Sequence, residues 1–91
     1  METNLIAVEQ FCAYYNIDFS FIESLNEFGL IEIVPVNDER FLPHEQLKEV
    51  EKMIRLHYDL DINMAGIDAI ANLLKRIHNL QQEIRLLKNN L

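Results

Sequence analysis

Lysine and arginine are both absent between Met1 and Glu39, a stretch that holds eight acids: Glu2, Glu9, Asp18, Glu23, Glu27, Glu32, Asp38 and Glu39. That part of the chain is at −8. Residues 40–91 hold all eight bases (Arg40, Lys48, Lys52, Arg55, Lys75, Arg76, Arg85 and Lys88) against seven acids, which gives +1 there and −7 overall. Neutralising phosphates with Lys and Arg supplies much of the affinity for DNA, so a surface built from the first part is repelled by a phosphate backbone and matched to a basic protein. Cysteine occurs once, as Cys12, which excludes an internal disulfide and fits a reducing compartment. Two glycines, two prolines and no low-complexity run speak against disorder. The start, Met-Glu-Thr-Asn, lacks the basic and apolar segments of a signal peptide, and no run of about 18 apolar residues offers a membrane span. The expected compartment is the cytoplasm.

Chemistry-bearing patterns are missing too. His44, His57 and His78 are scattered, and with one cysteine there is no ligand set at zinc spacing. Asp59-Leu60-Asp61-Ile62-Asn63 opens like a calcium loop, but Met64 stands where glycine is needed and Ile70 where the bidentate glutamate belongs. It reads as a turn and helix cap. No glycine-rich phosphate loop and no nucleophile beside a base is present, and Cys12 on an apolar helix face is a core residue. The expectation is a protein that is not an enzyme and needs no cofactor or metal.

What is present is helical. Val8, Phe11, Cys12 and Tyr15 recur at helical spacing, predicting a first helix over Leu5–Tyr15 that stops at Asn16, a residue tolerant of the left-handed turn. Asp18 is placed to cap a second helix that turns Phe21, Ile22, Leu25 and Phe28 inward and ends at Gly29. Two short helices with a tight turn give a helix-turn-helix. β-branched Ile31 to Val36, broken by Pro35, then turn-forming Asn37-Asp38 and a return over Arg40-Phe41-Leu42 predict a small hairpin wing. Pro43 suits the first turn of a third helix that buries Leu47, Val50, Met53, Ile54 and Tyr58 and ends near Leu60.

The strongest period follows. Ile70, Leu73, Ile77, Leu80, Ile84, Leu87 and Leu91 alternate spacings of three and four, with isoleucine at each complete a position and leucine at each d. Lys75, His78, Asn79, Gln82, Glu83 and Arg85 surround this stripe with polar groups. A helix from Met64 to Asn90, about 40 Å long at 1.5 Å per residue, is too long to pack wholly on so small a domain. A stripe folded back on its own core accounts for Met64, Ile67 and Leu74; beyond Leu80 it predicts an intermolecular seam. A 91-residue core is marginal alone, and dimerisation supplies further burial. The expected layout is a mainly α winged helix-turn-helix over residues 1–63 and a coiled-coil dimerisation helix over 64–91.

Element order and residues together resemble MerR-type regulators, and more closely their MerR-like branch of chaperone modulators, the CbpM family. The resemblance rests on Phe11-Cys12, Ile17, Leu25, the Phe28-Gly29-Leu30-Ile31-Glu32 exit, the tail Leu80-Gln81-Gln82-Glu83-Ile84-Arg85-Leu86-Leu87, and above all Arg55-Leu56-His57-Tyr58-Asp59-Leu60-Asp61-Ile62-Asn63-Met64-Ala65-Gly66-Ile67. Asn16 departs from it, since glycine is usual there, but both residues permit the turn. The resemblance implies a dimer that binds the J-domain of a DnaJ- or CbpA-type co-chaperone and restrains its cooperation with an Hsp70; it favours an antiparallel helix pair. A DNA-binding MerR-type regulator is the alternative that the fold allows and the charge opposes.

A J-domain meets its Hsp70 through a basic helix and an adjoining His-Pro-Asp loop, so a competitor needs acids on a rigid surface. Helix two supplies Asp18 and Phe19 near its start and Glu23, Asn26 and Glu27 along its length, an aromatic anchor beside carboxylates. Phe19 tucked into the core, with the acids as a merely solvated face, is the plainer reading. The missing bases favour a partner-binding surface.

Overall fold

The computed structural model describes residues 4–90. Its elements follow in the order β1 (Leu5–Ala7), α1 (Val8–Tyr15), α2 (Phe19–Glu27), β2 (Val34–Val36), β3 (Glu39–Pro43), a 3-10 turn (His44–Gln46), α3 (Leu47–Ile54), a π-helical turn (Arg55–Asp59) and α4 (Met64–Asn89). The chain is mainly helical, with one small antiparallel sheet.

The C-terminal ends of the motif's two helices are built alike. At α1, Asn16 takes a left-handed conformation (φ 56°), its N–H reaches the Ala13 carbonyl at 3.3 Å and the Ile17 N–H reaches that of Cys12 at 3.0 Å. At α2, Gly29 (φ 76°) donates to Asn26 at 3.0 Å and Leu30 to Leu25 at 2.9 Å. Both are Schellman closures, with the apolar pairs Ile17–Cys12 and Leu30–Leu25 at the expected positions. Asn16 serves here as well as glycine would.

The sheet runs in the order β1-β3-β2. Asn37 and Asp38 both have positive φ (50° and 68°), the mirror-image two-residue turn that matches strand twist, and they join β2 to β3 with Val36 opposite Glu39. The wing is therefore present, shorter at its first strand than Ile31–Val36, because Ile31 leaves the sheet and is buried in the core. It also has a third strand. Leu5–Ala7 pairs with Pro43–Phe41, so the first helix begins at Val8 and not at Leu5. Pro43 accordingly ends β3 and does not open α3.

Eleven apolar residues form the core. Ile22 and Leu25 from α2, Leu42 from β3, Val50 from α3, Val8 from α1 and Ile67 from α4 are all under 2% exposed, and each contributes about 1.5–3 kcal/mol by leaving water. Three placements differ from expectation. Phe28 is 47% exposed, because it lies at the cap of α2 after the last inward position; Tyr58 and Leu74 are also largely in solvent.

α4 starts on a side-chain cap, with Asn63 Oδ1 accepting the Gly66 N–H at 2.8 Å. A Cβ on Gly66 would stand 2.7 Å from Ile62 Cγ2 and 3.2 Å from Asn63 Oδ1, which explains a glycine in the first turn. Ile67 is the helix's buried residue. From Asn72 to Asn90 every residue is exposed. The radius of gyration, 15.7 Å, exceeds the roughly 12 Å of a compact chain this long, because this helix projects from the rest.

Candidate partner-binding surface

α2 buries Phe21, Ile22 and Leu25, and that choice fixes what it shows to solvent. Phe19, Glu23, Asn26 and Glu27 are separated by four, three and one residues and therefore form a single outward row. Glu23, Asn26 and Glu27 are exposed; Phe19 is half-buried and packs against the core. The plainer reading of Phe19 is thus partly right: its ring is both core edge and surface. Asp18 occupies the cap position but makes no side-chain capping bond. Instead its backbone N–H donates to Tyr58 Oη at 3.4 Å, and its carboxylate stays free beside Cys12.

Behind the row the helix is held rigidly. Phe21 stacks on His57 with ring centres 4.8 Å apart and meets Tyr58 edge-on at 5.5 Å, while His57 Nδ1 lies 2.9 Å from the Ile62 carbonyl. On the adjoining face of α1, the Tyr15 hydroxyl donates to a Glu51 carboxylate oxygen. That bond, then burial, hold the Tyr15 hydroxyl above its ordinary pKa of 10.0, since the neutral phenol is the form that donates. Burial, reinforced by Asp18, raises the Cys12 thiol, which keeps it protonated and inert.

Glu23 and Glu27 face each other at i, i+4 with no cation within ion-pair reach: among the described residues the ion pair present joins Lys52 and Glu49 on α3, at 3.6 Å. Like charges at that spacing disfavour the helix by a few tenths of a kcal/mol, a cost a purely structural helix has no reason to carry. Residues 1–63 hold four bases against thirteen acids, −9, while 64–91 hold four against two.

One base does reach the site. Arg40, on β3, lays its guanidinium over the Phe19 ring, 3.9 Å from the centre. The two border a groove of about 410 Å³ that is also lined by Ala7, Val8, Cys12, Glu9, Asp38 and Glu39. Arg40, Glu9 and the wing-turn acids were not legible as site residues, since twenty-one positions separate Arg40 from Phe19 and only the folded hairpin joins them.

The seam residues are all on α4. Ile70 is half-buried, whereas Leu73, Ile77, Leu80, Ile84 and Leu87 are 49–67% exposed in a single chain; Leu91 lies outside the described residues. Among the described residues no three His, Cys, Asp or Glu side chains converge to hold a metal, and no helix is long and apolar enough to cross a membrane.

Over residues 6–89 the sequence matches the model of the MerR HTH family of regulatory proteins, and the chain belongs to that family. No curated protein and no solved structure matches it.

Proposed function

We propose that the chain is a chaperone modulator of the CbpM type: a cytoplasmic homodimer that binds the J-domain of a DnaJ- or CbpA-like co-chaperone and inhibits its cooperation with an Hsp70. The observation that carries this reading is the outward row of α2, where a helix-turn-helix that reads DNA needs bases and this one has Glu23 and Glu27 without a single cation of its own. The free carboxylate of Asp18 extends the acidic surface at the helix start. The row's chemistry complements a basic helix: carboxylates attract it at long range, and Phe19 offers an apolar contact that slows its departure. Masking that helix on the J-domain denies it to the Hsp70, and inhibition follows without any covalent step. The Arg55–Ile67 segment that resembles chaperone modulators packs on the back of the row through His57 and Tyr58, so it fixes the row's orientation.

Calorimetric titration of a purified J-domain into the protein tests the reading directly, followed by the J-domain-stimulated ATPase rate of an Hsp70. Saturable binding with loss of stimulation is the expected result. Absence of binding at 100 times the protein's working concentration would overturn it.

Membership of the MerR family favours a second reading, a DNA-binding regulator. Its phosphate contacts would come from a weak basic strip, Arg40 near the wing, Lys48 and Lys52 on α3 and Arg55 in the turn after it, of which Arg40 lies over Phe19 and Lys52 is already paired with Glu49. Nanomolar, sequence-selective gel shifts at about 150 mM salt would establish it over the first.

A further inference from the structure

The Arg40–Phe19 contact has the form of the contact that a basic partner would make. We infer that Arg40 is an internal place-holder: in the free protein its guanidinium occupies the cation seat on Phe19, and a lysine or arginine of the partner displaces it on binding. This deepens, and rests on, the proposed recognition of a basic helix.

Three observations support it. First, the seat is shown to accept a cation, because a guanidinium sits 3.9 Å from the Phe19 ring centre, in range of a cation–π contact. Second, the groove beside the ring is lined by the buried apolar residues Val8 and Cys12 together with the exposed acids Glu9, Asp38 and Glu39, a mixture that suits the aliphatic stem and charged head of a long basic side chain. Third, Arg40 is exposed and forms no ion pair with Asp38 or Glu39 on its own hairpin, so among the described residues the ring contact is what holds it in place. Its neighbours on β3 are fixed by pairing with β2 and β1, so the side chain can swing aside without moving the backbone. The seat also joins the wing to α2, which makes the partner surface composite: the row of Glu23 and Glu27 leads to the wing-turn acids through the ring of Phe19.

The displacement has a signature that net charge alone does not produce. Removing Arg40 frees the seat, so the affinity of a purified J-domain should rise about two- to fivefold for R40Q, the fold-change that corresponds to an exposed cation–π contact. In the F19L background the same substitution should tighten binding clearly less, because the lost positive charge still acts there but the seat no longer exists. R40K keeps the charge on a weaker-stacking ammonium and should fall between wild type and R40Q. Binding that weakens or stays unchanged in R40Q overturns the inference, and so does equal tightening in both backgrounds, which would be an effect of charge alone. If the J-domain does not bind at all, the functional reading fails while the seat remains testable with penta-arginine as probe: Phe19 ring resonances should shift on titration, and at lower peptide concentration in R40Q. Failure of those resonances to move in either protein overturns the seat itself.

Discussion

Replacing Ile77 and Leu80 together by lysine is the sharpest test of how this chain assembles. Five apolar residues of α4 on the expected seam leave about half or two thirds of their surface in water, at 49–67% exposure. Burying a whole Leu or Ile side chain is worth about 1.5–3 kcal/mol, so covering half of one is worth about 0.8–1.5 kcal/mol. Ten such residues, five from each protomer, supply roughly 8–15 kcal/mol, against an association cost of about 4–15 kcal/mol. Gain and cost are thus of the same size, so the proposed pairing depends on each seam residue. Ile77 and Leu80 from two chains account for four of the ten, or about 3–6 kcal/mol, and lysines in the seam add charge that must be desolvated or expelled. The dissociation constant should therefore rise by about two to four decades. Sedimentation equilibrium over a concentration series is the assay, with far-UV circular dichroism to show that the winged part remains folded. Helicity should fall mainly in α4, whose residues from Asn72 onward are all exposed in the single chain. A wild-type protein that sediments as a monomer at about 100 μM refutes the seam, and a double variant that still dimerises with native affinity refutes the assignment of residues.

Reversing Glu23 and Glu27 to lysine should weaken J-domain binding by about 1–3 kcal/mol, with a salt-dependent on-rate, and leave the melting temperature nearly unchanged because both are exposed and unpaired. Unchanged affinity, with abolition by substitutions at Asp38 or Glu39, would move the site wholly to the wing. Tyr15→Phe should cost about 1 kcal/mol through the lost bond to Glu51. Because Tyr15 is held above its ordinary 10.0, that contribution is complete below pH 10 and fades as pH rises through the folded value, so denaturant curves of the two proteins should converge above pH 10. A gap that widens with pH would show that the bond favours the ionised phenol. Gly66→Ala should destabilise by about 1 kcal/mol, a melting temperature about 4–8 °C lower, because the new Cβ meets Ile62 Cγ2 and disturbs the Asn63 cap by more than helix propensity returns at the first turn. A stabilised variant would mean that Ile62 yields.

The parts of the fold that could be read from the chain are those whose determinants are local. Asn16 and Gly29 mark helix ends because the left-handed conformation of one residue decides them, and Asn37-Asp38 marks the hairpin for the same reason. β1 escaped because three residues are too few to display a strand's period, and its pairing partner, Pro43 to Phe41, lies more than thirty residues away. Phe28 fits the helical period of α2 but falls at its cap, where the period no longer governs direction. The π turn at Arg55–Asp59 has no sequence period to announce it. At the site, the outward row followed from which residues turn inward, since burial of Ile22 and Leu25 leaves Glu23, Asn26 and Glu27 no other place. Asp18 was expected to cap α2 and does not, and the cover of Phe19 by Arg40 depends on a tertiary contact that no count of charge along the chain reveals.

On the proposed reading, that contact also bears on how a helix-turn-helix would turn from nucleic acid to a basic protein without losing its fold. The packing that defines the motif uses the inward residues of α1 and α2 and the Schellman closures at their C-terminal ends, in which neither Glu23 nor Glu27 takes part. Outward positions are therefore free to change sign at little cost in stability, as exposed substitutions usually are. Once Glu23 and Glu27 stand there and the nearest base is spent on Phe19, residues 1–63 carry −9 and their field extends about a Debye length, roughly 8–10 Å, into solvent. A duplex approaching that field is opposed before any base edge is within reach, whereas a basic helix is drawn in and oriented. If the proposal holds, the scaffold selects its class of partner through the charge of one helix face, and the wing, whose acids line the groove next to that face, extends the selection instead of providing a separate one.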